Sequence, residues 1–264
     1  MYSKLIPVNP EFFKGKGFVV NRNYLFAQSQ MVCEVVYTEL SDIIGSLPMG
    51  MIYNQGQPKL VVLLSVIAGK NCFVSPDGRW LGTYSPKFIQ GYPFTTYPAP
   101  DNPDSEWILC IEESAIKSLQ SEGVERLFTD NNEPTERLKS IITFWNNLKE
   151  AQSLTDKAVR DLEKAGVFTE WEIVLKSEKE DEPQKIEGLF RIDEAKLKAL
   201  PSDIAGDLNQ SGALSIAYAQ LLSRTRISHL QNSVSQHMQY TSEKEKLTKK
   251  IEEITSDSGM DWGF

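Results

Sequence analysis

Hydrophobic and polar positions change rhythm along this chain. Up to about residue 112 the apolar residues come in short blocks: Tyr24-Leu-Phe-Ala-Gln, Met31-Val-Cys-Glu-Val-Val-Tyr and Met51-Ile-Tyr, separated by Asn, Gly and Pro. Such blocks predict short strands and turns. Thr38 to Leu47 also fits a small helix. Leu60-Val-Val-Leu-Leu-Ser-Val-Ile is β-branched and too short for a long helix, which predicts a fully buried strand. Asn71-Cys-Phe-Val, Ser75-Pro-Asp-Gly and Arg79-Trp predict a hairpin around a type I turn, with Pro at the second position and Gly at the fourth. Trp107-Ile-Leu-Cys-Ile predicts another buried strand, after a Pro-rich loop from Tyr97 to Asp104.

From Asn132 the period lengthens from two to about three and a half. Glu133-Pro-Thr-Glu opens a helix with Pro near its first position and acids in its first turn. Leu138, Ile141, Ile142, Trp145 and Leu148 form its apolar stripe. Thr155-Asp predicts the cap of a second helix that stops at Gly166. Trp171 to Leu175 and Ile186 to Ile192 predict a hairpin whose loop is the charged stretch Lys176 to Lys185. Asp193 caps a helix that runs to Leu200 and ends at Pro201. Another helix starts near Gly212 and continues past Met238, followed by the charged run Glu243 to Glu253 and a polar tail. The fold class is therefore α+β: a mainly β amino-terminal half of about 110 residues packs with a helical carboxyl-terminal half. No Pro/Gly/Ser linker separates the halves. One domain over residues 1–231 is expected, with 232–264 as a helical and charged extension.

Composition narrows the chemistry. The 264 residues are 41% hydrophobic and 24% charged, which suffices for a real core. An excess of 36 Asp+Glu over 28 Lys+Arg gives −8 and argues against general nucleic-acid binding. Cys33, Cys72 and Cys110 form neither a disulfide framework nor a metal knuckle, and in strands they read as small hydrophobes. No apolar run reaches membrane-spanning length and no secretory signal is visible, so a cytoplasmic or virion-associated protein is expected.

Motifs for catalysis are sparse. There is no Gly-Xaa-Ser-Xaa-Gly elbow, and His229 and His237 lie eight apart rather than four. Gly15-Lys-Gly17 and Gly69-Lys-Asn complete no phosphate-binding pattern. Neither a cofactor nor a metal is implied. The richest segment runs from Asn71 to Phe94. There Asn71, Arg79, Trp80, Tyr84, Tyr92 and Phe94 sit among turn-forming residues, as candidates for binding a peptide or protein partner. Arg79 would meet a ligand carboxylate. The competing reading has the same aromatics filling the core beneath a hairpin. A second candidate surface is the narrow stripe in the carboxyl-terminal helix. Ile227, Leu230, Val234, Leu247 and Ile251 suit self-association or a partner helix.

The ordered series Gly69-Lys-Asn-Cys-Phe-Val, Asp77-Gly-Arg-Trp, Tyr84-Ser-Pro and Tyr92-Pro-Phe resembles the SapC-like bacterial proteins. Cys110-Ile-Glu-Glu-Ser, Leu189-Phe-Arg-Ile-Asp-Glu-Ala-Lys-Leu and Gly212-Ala-Leu extend the resemblance over roughly residues 5 to 232. It implies a link to surface-layer protein or peptide export and to peptide resistance, without assigned catalytic residues. Relatives commonly carry Arg immediately before Tyr-Pro-Phe; here that position is Gly91. Two functions follow as expectations. One is a non-catalytic binding or assembly protein at a cell envelope or in a phage-related assembly. The other is an enzyme or accessory subunit working with a flavoprotein or oxygenase, an association that the resemblance implies.

Overall fold

The computed structural model describes residues 1–21, 23–99, 102–175, 184–228 and 230. The chain begins with β1 (Leu5–Pro7), β2 (Lys16–Val19), a 3-10 turn at Leu25–Ala27, and β3 (Val32–Glu34). After a 3-10 turn at Tyr37–Glu39 come α1 (Leu40–Ile43), β4 (Met49–Asn54), β5 (Gln57–Leu63) and α2 (Lys87–Gln90). Next are β6 (Phe94–Ala99), β7 (Asn102–Glu112), β8 (Ile116–Ser118) and β9 (Val124–Glu125). Then follow α3 (Glu136–Lys164), β10 (Phe168–Glu170), β11 (Ile173–Leu175), β12 (Gln184–Ile186) and β13 (Leu189–Ile192). The described chain ends with α4 (Glu194–Lys198), α5 (Ser202–Gln210) and α6 (Ala213–Ser223). The class is α+β.

Among the described residues every strand pairing is antiparallel. β4 and β5 form a tight hairpin over Gln55 and Gly56, whose φ values of 50° and 75° suit a two-residue turn with both central residues left-handed. This hairpin centres a five-stranded sheet in the order β10-β13-β4-β5-β3. A strand from the second half of the chain thus lies against the amino-terminal hairpin. Smaller sheets run β1-β7-β6, β8-β2-β9 and β11-β12.

Two buried clusters hold these layers together. The larger gathers Met49, Met51, Leu60, Val62 and Leu64 with Val159, Leu162, Ile216 and Leu230. The smaller gathers Phe13, Phe18, Phe94 and Ile111 with Leu138, Trp145 and Leu148. Helix α3 belongs to both. Its 29 residues extend about 43 Å, enough to run from one cluster to the other.

The structure changes several of these expectations. One helix replaces the expected pair on either side of Thr155. That residue is buried in mid-helix; its hydroxyl donates to the Ala151 carbonyl at 2.7 Å and accepts the Tyr37 N–H at 2.9 Å. The true N-cap is Thr135, whose side chain accepts from the Leu138 N–H. Most of the expected Pro-rich loop is paired as β6 and β7, with Pro98 on an edge strand where a missing N–H is tolerated. The expected hairpin around Ser75 keeps its turn but reduces to a single bridge, Val74 to Trp80. Helix α5 was not anticipated. Asp193 does cap α4, accepting from Ala195 and Lys196. The continuation past Met238 lies outside the described residues.

Candidate functional site

The Ser75–Gly78 turn is built by its own side chains. Gly78 takes φ 84° and donates to the Ser75 carbonyl at 2.8 Å, while Ser75 Oγ accepts the Arg79 N–H at 2.9 Å. Arg79 Nε bonds Asp77 Oδ2 at 2.7 Å on the open surface. The Ser75 hydroxyl first, and Arg79 second, hold the Asp77 carboxyl below its ordinary range.

Asn71 is buried and serves the chain internally. Its Nδ2 donates to the Ala27 carbonyl at 3.1 Å and its Oδ1 accepts the Phe73 N–H at 2.9 Å. Together with the Tyr24 N–H to Gly78 carbonyl bond of 2.7 Å, this fastens residues 24–28 onto the turn. Aromatic rings are brought together as a result. Phe73 lies 5.7 Å from Trp80, Trp80 5.3 Å from Tyr24, and Tyr24 6.0 Å from Phe26. Phe26 stacks on Tyr92 at 3.8 Å and 6° between planes, and Tyr92 meets Tyr2 at 5.6 Å. From Trp80 to Tyr2 these rings are half-buried, forming a strip partly open to solvent.

Beneath the strip lies a carboxylate. Glu39 is fully buried and receives three hydrogen bonds, from Val36 N–H, Tyr84 Oη and Lys87 N–H, at 2.9, 2.7 and 2.8 Å. Burial, and then the bond to Glu39, push the Tyr84 phenol up, so it remains a donor. Trp80 Nε1 donates to the Tyr84 carbonyl at 2.9 Å. Burial also pushes all three thiols up, with the Glu39 and Glu34 charges adding to this at Cys33. Their thiolate fraction is correspondingly low.

At Tyr92 the strip opens into a groove of about 300 Å³. Tyr92, Pro93 and Phe94 line one side, the Tyr92–Pro93 peptide being cis. Phe18 and Val20 line another. Helix α3 supplies Arg137, Ile141, Phe144 and Trp145, spaced to share one helical face. Phe94 is buried edge-on against Phe18 at 4.9 Å. A Cβ on Gly91 would stand 2.5 Å from Trp145 Cζ2, so Gly is needed for this close approach. Arg137 binds Glu125 through Nε at 2.9 Å.

Of the sequence candidates, Trp80, Tyr92 and Phe94 belong to the strip or groove, Tyr84 and Asn71 support it from within, and Arg79 stands on the exposed turn beside it. Tyr2, Tyr24, Phe26, Phe18 and the α3 face were missed. Only the Tyr24/Phe26 alternation and the i, i+4, i+8 spacing of Arg137, Ile141 and Trp145 hinted at them. In the second candidate set, Leu230 is buried in the larger core and Ile227 packs partly against it. Val234, Leu247 and Ile251, like His229 and His237, lie outside the described residues.

These features define an α+β protein with an aromatic strip leading into an open groove. The SapC family model matches residues 8–230, and the chain belongs to that family. No curated protein and no solved structure matches it. Among the described residues, no helix is long and apolar enough to cross a membrane.

Proposed function

We propose that this chain is a binding protein that engages an extended segment of a protein partner in the groove between Tyr92 and α3, flanked by the aromatic strip. The observation that carries the reading is the continuity of aromatic surface. Half-buried rings from Trp80 to Tyr92 lead to a groove whose lining joins Pro93, Ile141 and Phe144 with the polar Asn21, Gln90 and Ser140. Rigid rings give large contact area at little entropic cost, and grooves of this size accept one or two side chains. The remaining carboxyl-terminal stripe, Val234, Leu247 and Ile251, is a second contact for another copy or a partner helix. Light scattering of the full chain against a truncation after Gln231 tests that contact: a multiple of the monomer mass is expected for the full chain and the monomer mass for the truncation, and monomer masses for both would remove self-association.

Peptide display on the full chain tests the groove. Selected peptides should compete with one another and should lose binding to Ser140→Trp, which fills the groove from an exposed position on α3. The melting temperature of that variant should match the parent. Peptides that bind Ser140→Trp undiminished would move the site elsewhere, and failure to select any peptide would overturn the reading.

A further inference from the structure

The groove is lined by one cationic side chain, itself ion-paired with Glu125. Its lining is apolar or neutral except for Arg137, whereas the full sequence carries −8. The Arg137 side chain is about half exposed at 49%, and its guanidinium carbon lies 6.0 Å from the Phe18 ring centroid. The ion pair with Glu125 engages Nε. A guanidinium presents five N–H donors in a fixed fork, so the pair leaves its terminal nitrogens for a second anion. Exposed ion pairs contribute little, and Glu125, itself half exposed, can share its partner at small cost.

We infer that the groove is specific for a peptide segment in which an apolar side chain is followed or preceded closely by a carboxylate. The apolar side chain enters between Phe94, Ile141 and Phe144, and the Asp or Glu beside it takes the free edge of the Arg137 fork. Charge complementarity carries this: Arg137 is the formal charge among the lining residues, and its guanidinium stands 6.0 Å from the Phe18 ring centroid. A carboxylate there gains a charge-assisted and geometrically matched partner. A basic segment would instead set like charges together. This inference rests on the peptide-binding reading and adds the chemical class of the segment.

Three full-length proteins test it: the parent, Arg137→Gln and Arg137→Glu, each first shown to melt like the parent. Peptides selected on the parent should carry Asp or Glu within two residues of an aromatic or branched apolar residue. Arg137→Gln should lose tenfold or more in affinity for such a peptide, and little for its Glu→Gln counterpart. Arg137→Glu should select Lys or Arg in place of the acid. Affinity for the acidic peptide should also fall as salt rises. Groove-dependent peptides with no acidic preference, or an equal loss for the acidic and amide peptides in Arg137→Gln, would overturn the inference while leaving the peptide groove standing. Displacement of the peptide by benzoate at equal concentration would also overturn it, by reassigning the groove to a small carboxylate. Absence of any selected peptide would overturn both.

Discussion

Glu39 carries a carboxylate into the interior, where an unpaired charge would be prohibitive, and the three donors around it make the position tolerable. Those donors come from Val36 at the start of the 3-10 turn that Glu39 ends, from Tyr84 and from the start of α2, so one side chain fixes the floor under the aromatic strip. Tyr84→Phe removes the phenolic donor and should cost about 2 kcal/mol, the range for a bond to a charged group. Trp80→Phe keeps the stack on Phe73 but loses the bond to the Tyr84 carbonyl, and about 1 kcal/mol is expected. Denaturant midpoints with unchanged slopes check both values; a Tyr84→Phe protein as stable as the parent would mean that Glu39 needs no third donor. At this scale the sequence was legible where chemistry is local. Asp193 announced its cap and Ser75-Pro-Asp-Gly its turn. Glu39 did not announce itself, because an acid in a polar stretch looks solvated until Tyr84 and Lys87, more than forty residues away, fold over it.

Element boundaries were read from caps, and Thr155 illustrates where that logic stops. A Thr followed by Asp has the chemistry of an N-cap, but a threonine hydroxyl can also bond back to the carbonyl four residues earlier, and this one does. The continuous helix that results is what joins the two cores and carries Arg137 and Trp145 to the groove. Likewise, Pro98 reads as loop because a central strand excludes proline; the edge strand β6 does not. At the carboxyl-terminal end of β7, the central strand of that sheet, Glu112 is buried and clamps residues 3 and 4. Burial pushes its carboxyl up, but the Ser3 hydroxyl and the Ser3 and Lys4 N–H groups outweigh burial and hold it below its ordinary range. The unfolded chain therefore binds the proton more readily than the folded one. The resulting stabilisation is complete above the unfolded-state value, about pH 4, and is lost as pH falls through the lowered folded value. Glu112→Gln should be less stable than the parent at pH 7 and should show a shallower loss on acidification. Parallel losses in both proteins down to pH 3 would remove Glu112 from the account of acid unfolding.

On the scale of the whole molecule, the two rhythms of the sequence do not correspond to two separable bodies. β13 lies beside β4, with Phe190 facing Met51 and Leu189 facing Ile52. Helix α6 then locks that junction. Gln220 is buried and accepts the Ile192 N–H at 3.0 Å while donating to the Met49 carbonyl at 3.1 Å, and Ser223 Oγ accepts the Met49 N–H at 3.0 Å. A strand pairing between residues nearly 140 apart leaves no local trace in sequence, which is why the class was readable and the interleaving was not. Gln220→Leu keeps a similar volume but strands one N–H and one carbonyl in the interior, at about 1–3 kcal/mol for each group. It should lower the denaturant midpoint sharply. The stronger test is to divide the chain at Asp130. Residues 1–130 lack α3, which contributes to both cores, and also lack β13 and α6, so the five-stranded sheet loses one flank of β4 and the groove loses a wall. Neither fragment should give a cooperative unfolding transition alone. If the edges at β4 and α3 are the main deficit, mixing the two fragments should restore cooperative melting together with the peptide binding proposed for the groove. A cooperative transition in residues 1–130 alone would mean that the amino-terminal sheets are self-sufficient and that α3 docks on a preformed body.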